Sequence, residues 1–365
     1  MSEVARKTHI ESPSVPGFRD CLNGVRVSWL AMPIESESQL MKTIVSGATR
    51  TKSWRAALVD RQTELWHRVR EHGEQRREHL SERATGVLGD AIQWLAELPE
   101  NSIHAVVTDP PYGMVEFEEK NHRKLRAGRG GVWRIPPSFD GAKRSPLPRF
   151  TVLSQDEVSA LYNFFGALAY GLNRALVPGG HVFLASNPLL STMTFHAFQR
   201  AGFEKRGEVI RLVQTLRGGD RPKGAEKEFP DVSMMARSCW EPWGLFRKPF
   251  QGTAADNLRR WGTGGLRRIS GEEPFKDVIA CSPTRGVERE IAPHPSLKPQ
   301  RFLRQIVRAA LPLGIGIVYD PFAGSASTLA AADHLGYHAI GTERDVTYFA
   351  MGCKAFPRLQ ALTLG

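Results

Sequence analysis

The stretch Ile-Gly-Ile-Val-Tyr-Asp-Pro-Phe-Ala-Gly-Ser-Ala, residues 315–326, indicates the fold class of this chain. Its apolar run 315–319 is typical of a buried strand, residues 320–325 form a turn of small residues, and a helical pattern begins at Ala326. A strand that passes through such a turn into a helix is the building unit of a parallel sheet. A ligand can approach the backbone of this turn, where free N–H groups at the helix start attract an anionic group.

Strand and helix patterns alternate along most of the chain. This alternation predicts an α/β fold with a doubly wound, mostly parallel sheet, because each crossover helix returns the chain to the same end of the sheet. The Val-Pro-Gly-Gly stretch at 177–180 is predicted to be a turn that leads into a strand. The predicted strands are 86–90, 103–108, 181–185, 207–213, 315–319 and 337–342, and the predicted helices are 51–84, 92–98, 155–176, 189–201, 299–311, 326–335 and one from 346.

Composition divides the chain into four parts. Residues 1–84 are predicted to be an N-terminal extension, a loose tail followed by one long, mostly solvated helix suited to DNA or to a dimer interface. Residues 85–213 and 291–365 carry the alternating pattern and form two halves of one core. Between them, 214–290 is rich in Gly, Arg, Lys and Trp with weak periodicity, and 114–153 is predicted to be a mobile basic loop.

The charge balance favours a polyanionic partner. Among 365 residues, 49 Lys and Arg stand against 38 Asp and Glu, a formal net charge of +11. Such a surplus suits nucleic acid first and an anionic membrane surface second, with a merely soluble basic protein as the remaining alternative. The 4 scattered cysteines are typical of reduced thiols in a cytoplasmic protein, and the pattern contains no metal-ligand cluster and no membrane-spanning or secretory segment.

A second loop with distinctive chemistry follows the predicted strand 103–108. Asp109-Pro110-Pro111-Tyr112 ends that strand, because proline lacks an N–H donor and fixes φ. The exocyclic amine of adenine or cytosine is a poor nucleophile, since its lone pair is delocalised into the ring. A carboxylate on Asp109 and the carbonyl of Pro110, each accepting one N–H, would favour a tetrahedral nitrogen and offset its developing charge. Tyr112 offers a ring on which a flat base can stack.

Glu343 completes a second predicted ligand site. It ends the strand that follows the turn 320–325, about twenty residues on, where an acidic residue accepts hydrogen bonds from ribose hydroxyls. The turn matches neither Gly-x-Gly-x-x-Gly nor the phosphate-binding Gly-x-x-x-x-Gly-Lys pattern, so dinucleotide and nucleoside triphosphate sites are disfavoured. The alternative is a tight strand-to-helix connection with a surface glutamate. Turn and carboxylate together favour a nucleoside-containing ligand.

Four motifs follow one another in an order that carries a family resemblance. Val87-Leu88-Gly89-Asp90 comes first, Asp109-Pro110-Pro111-Tyr112 second, the segment His294–Pro299 third, and 320–325 last. They resemble, in turn, the opening Gly-Asp segment, the catalytic motif, the His-Pro-x-x-Lys-Pro segment and the AdoMet-binding motif of AdoMet-dependent amino-methyltransferases acting on DNA. The catalytic half precedes the cofactor half, as in the circularly permuted β group of that family.

The resemblance implies a Rossmann-like AdoMet-dependent methyltransferase fold for the chain. Residues 85–213 are then the catalytic half, 291–365 the AdoMet-binding half, and 214–290 an inserted target-recognition segment that contacts DNA. The family usually has glycine at the position of Ala326 and often threonine at that of Ser327. Both residues here are still small, so only the affinity for AdoMet is affected.

The resemblance also implies a role for each site residue, with S-adenosyl-L-methionine as the cofactor. Asp109, Pro110, Pro111 and Tyr112 hold and activate the target base. Asp320, Phe322 and Gly324 line the methionine side of AdoMet, within the cofactor set Asp90, Lys298, Asp320, Pro321, Phe322, Ala323, Gly324, Ser325 and Glu343. In that set Glu343 binds the ribose, Asp90 accepts from the adenine amine and Lys298 pairs with the carboxylate of AdoMet.

Double-stranded DNA is the implied partner, with its target base flipped out of the helix. Members of the family often dimerise, and a homodimer and a cognate restriction enzyme are both open. Phosphate binding by basic residues would account for the surplus charge of the chain. The residues predicted to contact DNA are Arg217, Arg221, Lys223, Arg237, Arg247, Lys248, Arg259 and Arg260.

Three functions are compatible with the sequence. The first is a site-specific DNA methyltransferase acting on adenine N6, because enzymes acting on cytosine N4 more often carry serine where this chain has Asp109. The second is a cytosine-N4 methyltransferase. The third is a catalytically silent DNA-binding protein with the same fold, which the intact Asp109 and Glu343 disfavour.

Overall fold

A computed structural model describes residues 50–111, 155–213, 219, 221–282, 284, 286–294 and 296–363. The fold described below is that of the compact unit 51–365. The predicted tail, residues 1 to about 48, the predicted loop at 114–153 and the residues Tyr112 and Arg217 lie outside the described residues.

One mixed sheet of nine strands forms the centre of the described fold. Its order is β1-β2-β9-β8-β3-β4-β6-β5-β7, and the five strands from β2 to β4 are mutually parallel. β6 runs antiparallel to both of its neighbours, and β1 is antiparallel to β2. The strands are β1 (Arg77–His79), β2 (Ala84–Leu88), β3 (Ile103–Thr108), β4 (Leu176–Ala185), β5 (Glu204–Leu212), β6 (Trp240–Arg247), β7 (Val278–Ala280), β8 (Ile317–Asp320) and β9 (His338–Glu343).

Helices cover both faces of the sheet, which confirms the doubly wound α/β prediction. Alternate residues of β4 show the division: Phe183 and Ala185 pack with α7, α8 and α9, whereas Val182 and Leu184 pack with α1 to α4. The helices are α1 (Arg50–Arg70), α2 (Ala91–Glu97), α3 (Gln155–Ala175), α4 (Ser191–Arg200), α5 (Ala254–Trp261), α6 (Val287–Ile291), α7 (Gln300–Ala310), α8 (Ser327–His334) and α9 (Val346–Gln360).

The first helix is shorter than predicted. It ends at Arg70 rather than near residue 84, and β1 follows as an edge strand of the sheet. Gly73, with φ of 83°, allows the chain to turn between the two elements. Most of the helix is exposed, yet Leu58, Gln62, Trp66 and Val69 are buried along one side. The spacing of these four residues is that of a helix face that packs on the core.

Trp66 anchors this helix. Its ring stacks on His338 of β9 with centroids 4.7 Å apart, and its indole N–H donates to the carbonyl of Glu82 at 3.2 Å. The elements α1 and β1, before the boundary predicted at residue 84, therefore pack on the same sheet as the elements after it.

The segment 214–290, predicted to be an inserted target-recognition segment, contributes strands to the central sheet. It contributes β6, an inner strand in which Trp243 is fully buried, and β7 at one edge of the sheet. Gly244 is required within β6, because a Cβ there would lie 2.6 Å from the ring of Phe246 and 2.7 Å from that of Phe195. The prediction of a turn at Val-Pro-Gly-Gly is wrong, because residues 177–180 belong to β4. The register of β4 opposite β3 is irregular there.

No helix among the described residues is long and apolar enough to cross a membrane.

Candidate active site

The carboxyl ends of four neighbouring parallel strands bring the predicted motifs together. In sheet order these strands are β2, β9, β8 and β3, and they lead to Asp90, Glu343, Asp320 and Asp109. From β8 the chain crosses to β9 on one side, whereas from β3 it crosses to β4 on the other. The switch point of the sheet therefore lies between β8 and β3, where ligands bind in open α/β sheets.

Asp109 follows the last residue of β3 and immediately precedes the two prolines. Its carboxylate is mostly buried, with 14% of the side chain exposed, and Oδ2 lies 2.5 Å from Nζ of Lys298. Pro110 is buried beside it, and Pro111 is partly exposed. The strand ends at Thr108, as predicted.

A network of alternating charges extends from Asp109 into the sheet. Nζ of Lys298 also lies 3.0 Å from Oε1 of Glu241, whose Oε2 accepts from Nη1 of Arg211 at 2.8 Å. Arg211 donates further to the carbonyls of Cys281 at 3.3 Å and of Ser282 at 2.9 Å. Burial acts to lower the pKa of Lys298, but the two carboxylates outweigh it and raise that pKa above its usual value. The lysine is therefore an ammonium at neutral pH.

Sequence reasoning missed Glu241 and Arg211, although each carries a signal. Both are charged residues in the apolar stretches Ile210-Arg211-Leu212 and Trp240-Glu241-Pro242. Two isolated opposite charges in facing strands are typical of a cross-strand ion pair. The two residues are directly opposite each other in the antiparallel register of β5 and β6.

Asp320 joins the two predicted loops. It is buried at the end of β8, and its Oδ1 accepts from the hydroxyl of Thr108 at 2.7 Å and from the backbone N–H of Phe322 at 3.1 Å. Burial raises the pKa of this carboxyl to about 6, even though hydrogen bonds from Thr328 and Thr108 act to lower it. The Thr108 contact holds the base of the Asp109 loop against the base of the 320–325 turn.

Glu343 closes the turn from the side of β9. Its Oε2 accepts from the N–H of Gly324 at 2.9 Å, and its Oε1 accepts from the N–H of Asp345 at 2.8 Å. Burial raises the pKa of the Glu343 carboxyl above its usual value. The backbone thus fixes both carboxylate oxygens, and each oxygen has a second lone pair with which it can accept from a ligand.

His294 packs against the same turn. A Cβ on Gly324 would lie 3.1 Å from Nε2 of His294, and the ring meets Tyr348 edge-on with centroids 4.5 Å apart. Burial, with the charge of Lys298 adding to it, lowers the pKa of His294 to about 4, so the ring is neutral at pH 7. The His-Pro-x-x-Lys-Pro segment therefore contacts both loops, through His294 at the turn and through Lys298 at Asp109.

Ala326, where the family usually has glycine, adopts a backbone conformation that is typical of glycine. Its φ of 58° and ψ of 24° lie in the left-handed region, where glycine is relaxed and alanine is strained. The turn therefore keeps the backbone conformation that glycine would adopt, with a methyl group added.

Two predicted cofactor residues have structural partners of their own. Asp90 caps α2, since its Oδ1 accepts from the N–H of Ile92 at 2.9 Å and of Gln93 at 3.1 Å. Lys298 contacts Asp109 and Glu241, as described above. Their predicted contacts with AdoMet stay predictions.

The structure divides the residues predicted to contact DNA. The connection between β5 and β6, residues 213–239, leaves and re-enters the sheet at the edge that carries Asp109, and we name it the β5–β6 connection. Most of its described residues are exposed, including the hydrophobic Phe229, Val232, Met234 and Met235. It contains the predicted DNA-contacting residues Arg221, Lys223 and Arg237.

The other four described residues of that prediction lie at the opposite edge of the sheet. There the guanidinium of Arg247 lies 2.6 Å from Glu204, and Nζ of Lys248 donates to the side chain of Asn101 at 3.0 Å and to the carbonyl of Leu176 at 2.7 Å. Both residues therefore make contacts within the fold, away from Asp109. Arg259 and Arg260 belong to α5, which packs beside the start of β4 at this same edge.

Comparisons with known proteins agree with this arrangement. The N6/N4 methyltransferase family model, described as DNA methylase, matches residues 239–354. The type II methyltransferase M.HindIII of Haemophilus influenzae is 25% identical over 280 residues, which are 70% of this chain and 89% of that protein. M2.DpnII of Streptococcus pneumoniae, also a type II methyltransferase, is 32% identical over 96 residues, 26% of this chain and 34% of that protein.

Among solved structures, the chain is similar to a putative DNA modification methylase of Thermus thermophilus, TTHA0409, which was crystallised with S-adenosyl-L-methionine. The two share 20% sequence identity and superpose with a TM-score of 0.50 over 77% of this chain and 95% of that one. At this level of identity the likeness concerns the fold.

Proposed function

Since the chain belongs to the DNA N6/N4 amino-methyltransferase family, we propose that it transfers a methyl group from S-adenosyl-L-methionine to the exocyclic amine of a base in DNA. The observation that carries the proposal is the pairing of two loops at the switch point. The Asp109 loop and the 320–325 turn end adjacent strands, and the bond from Thr108 to Asp320 joins them at 2.7 Å.

The Asp109 loop suits an amine nucleophile. A carboxylate and the neighbouring Pro110 carbonyl can each accept one N–H, which favours the tetrahedral nitrogen that attack requires. Two prolines and the Lys298 ion pair hold the carboxylate in place before the base arrives. The amine becomes strongly acidic once it is methylated, so a base with a high pKa is not needed to remove its proton.

The residues of the second loop fit S-adenosyl-L-methionine. Two backbone N–H groups hold the carboxylate of Glu343 at the end of β9. A carboxylate at this position can accept hydrogen bonds from the ribose hydroxyls. The turn is held closely from behind, since a Cβ on Gly352 of α9 would lie 2.7 Å from the Gly324 carbonyl. Asp320, Phe322 and Gly324 would line the methionine side. When bound there, the cofactor supplies an electrophilic methyl group.

DNA would meet the protein along the edge that carries Asp109. The β5–β6 connection leaves the sheet at this edge, and the charges of Arg221, Lys223 and Arg237 suit phosphate. A target amine inside a duplex cannot reach Asp109 without leaving the base stack, so base flipping is part of the proposal. Tyr112, next to the proline pair, is proposed as the stacking ring.

Adenine N6 is the proposed target, and cytosine N4 is the second candidate. The preference comes from the aspartate at the first position of the catalytic motif, where enzymes acting on cytosine N4 more often have serine. Mass spectrometry of nucleosides from methylated DNA separates N6-methyladenine from N4-methylcytosine.

The proposal is tested with purified protein, unmodified DNA and S-adenosyl-L-methionine labelled in its methyl group. We expect label in DNA with the unaltered protein, and a loss of roughly 1,000-fold or more in Asp109→Ala. Calorimetry should show nearly the same affinity for S-adenosyl-L-methionine in both proteins, because the change is confined to the base-holding loop. Transfer by Asp109→Ala at the unaltered rate would contradict the assignment.

A further inference from the structure

We infer that Glu241, with Arg211 behind it, is a positioning residue for methyl transfer: it holds the Lys298 ammonium against the Asp109 carboxylate and so fixes the group that receives the target amine. The inference rests on the proposed function and deepens it. Four segments of the chain supply the four charges, in the order Asp109, Lys298, Glu241 and Arg211.

Geometry supports a holding role for Glu241. Its two oxygens have different partners, Oε1 toward Lys298 at 3.0 Å and Oε2 toward Arg211 at 2.8 Å. Arg211 is held in turn by two backbone carbonyls and lies over the ring of Phe302, 5.4 Å from its centroid. The chain of contacts therefore ends in rigid structure, and the lysine ammonium at its other end is fixed in position.

Burial makes the network sensitive to loss of one member. The exposed fraction is 5% for the Arg211 side chain, 13% for Glu241, 10% for Lys298 and 14% for Asp109. Among the described residues, two positive and two negative charges alternate in this network, so each ion has an oppositely charged neighbour in a site of low dielectric. Removing one charge leaves the neighbouring charge buried and less compensated, which favours a change in its position.

The consequence for chemistry concerns the freedom of the Asp109 carboxylate. Without Glu241, the ammonium of Lys298 would have one carboxylate fewer around it and a wider choice of positions. The Asp109 carboxylate would lose its fixed partner, and a misplacement of about 1 Å costs on the order of 100-fold in rate. We expect the binding of DNA and of S-adenosyl-L-methionine to depend much less on this precision than the rate of methyl transfer does.

The test compares Glu241→Gln with the matched control Glu204→Gln. Both glutamates pair with an arginine across the same two strands, but Glu204 pairs with Arg247 at the opposite edge of the sheet. For Glu241→Gln we expect kcat to fall roughly 10- to 100-fold, with KM for DNA and for S-adenosyl-L-methionine within about twofold of the unaltered values. For Glu204→Gln we expect no change in kcat.

The pH profile gives a readout that a merely structural role would not move. Within the part of the chain that the structure describes, the charged or titratable groups around Lys298 are Asp109 after β3, Glu241 on β6, Arg211 on β5 and His294 on its own segment. Glu241 is one of the two carboxylates that raise the pKa of Lys298 against the effect of burial. Without its charge that pKa falls, so Lys298 loses its proton, and with it the ion pair to Asp109, at lower pH. The alkaline limb of kcat should therefore move to lower pH in Glu241→Gln and stay in place in Glu204→Gln.

Three results would overturn the inference. The first is an unchanged kcat and pH profile in Glu241→Gln. The second is a loss of cofactor and DNA binding together with kcat, which would mean that the residue only supports the fold. The third is a kcat of Glu241→Asp that is as low as that of Glu241→Gln. Because aspartate keeps the negative charge, we expect Glu241→Asp to recover part of kcat. If Glu241→Gln does not fold, Glu241→Asp against Glu204→Asp gives the same comparison. If the unaltered protein transfers no methyl group, the proposed function itself fails.

Discussion

Asp320→Asn should make the protein more stable at neutral pH. Burial raises the pKa of Asp320 from its usual value of 3.8 to about 6, so folding favours the protonated carboxyl. The stability that this group contributes is fully present below pH 3.8 and is lost as the pH rises through about 6. Asparagine is uncharged and can keep the contact with Thr108, so the variant avoids this loss.

The magnitude follows from the two pKa values. At about 1.36 kcal/mol per pKa unit, the ionised carboxyl costs about 3 kcal/mol at pH 7.5 and about 1 kcal/mol at pH 4.5. The difference in unfolding free energy, Asp320→Asn minus unaltered protein, should therefore grow by about 2 kcal/mol between these pH values. Any effect of the amide that does not depend on pH cancels from this change.

Urea unfolding, followed by far-UV circular dichroism at several pH values, measures the difference directly. Asp256→Asn is the control, because a hydrogen bond from Thr253 lowers the pKa of this exposed carboxyl. Its difference should not rise with pH, since the sign of the shift is opposite. A difference for Asp320→Asn that is independent of pH would refute the reasoning. The same variant should bind S-adenosyl-L-methionine more weakly, because Asp320 is proposed to line its site.

The remaining predictions address the cofactor, the DNA surface and the first helix. Glu343→Ala should weaken binding of S-adenosyl-L-methionine by about 10-fold or more, the effect of one lost charge-assisted hydrogen bond, and an unchanged dissociation constant in calorimetry would exclude the ribose role. Arg221→Ala should reduce the slope of log DNA affinity against log salt by about one, whereas Arg259→Ala should leave it unchanged; equal slopes in both variants would place the DNA elsewhere. Trp66→Ala should lower the unfolding free energy by about 3–5 kcal/mol, and a loss below about 1 kcal/mol would mean that α1 does not depend on its contact with the sheet.

The core strands could be predicted because their signal is local. β3 is a run of buried residues that ends in two prolines, and both of its limits agree with the sequence prediction. β8 begins with the apolar run Ile-Val-Tyr, β9 is more polar, and each strand is followed by a short connection and the start of a helix. The four strand ends of the candidate site could be grouped because the order of the motifs resembles that of one family.

β6 was hidden by its composition. It contains Pro242 and Gly244, two residues that usually argue against an inner strand. The structure tolerates Pro242 because its carbonyl still accepts from the N–H of Ser186 at 2.9 Å, and it needs Gly244 beside the ring of Phe195. These reasons depend on neighbours that are distant in sequence, which periodicity does not reveal.

The full charge network of the site also depends on neighbours that are distant in sequence, although the pair Arg211 and Glu241 carries a local signal. Lys298 reaches Asp109 across 189 positions of the chain, and Arg211 reaches Glu241 across 30. The family resemblance implies that Lys298 pairs with the carboxylate of AdoMet, which stays a prediction, and it gives no sign of the contacts of this ammonium with Asp109 and Glu241. Only the register of β5 and β6 and the path of the segment before α7 bring these residues together.

The most direct test of the account is single-molecule methylation sequencing of DNA from cells that express this chain or its Asp109→Ala variant. We expect N6-methyladenine at one short sequence motif in the first case and none at that motif in the second. Methylation of cytosine N4 would overturn the preference for adenine and leave the amine mechanism in place. The same methylation pattern in both cultures, or no modified base in either, would contradict the proposal that Asp109 holds the target amine for methyl transfer.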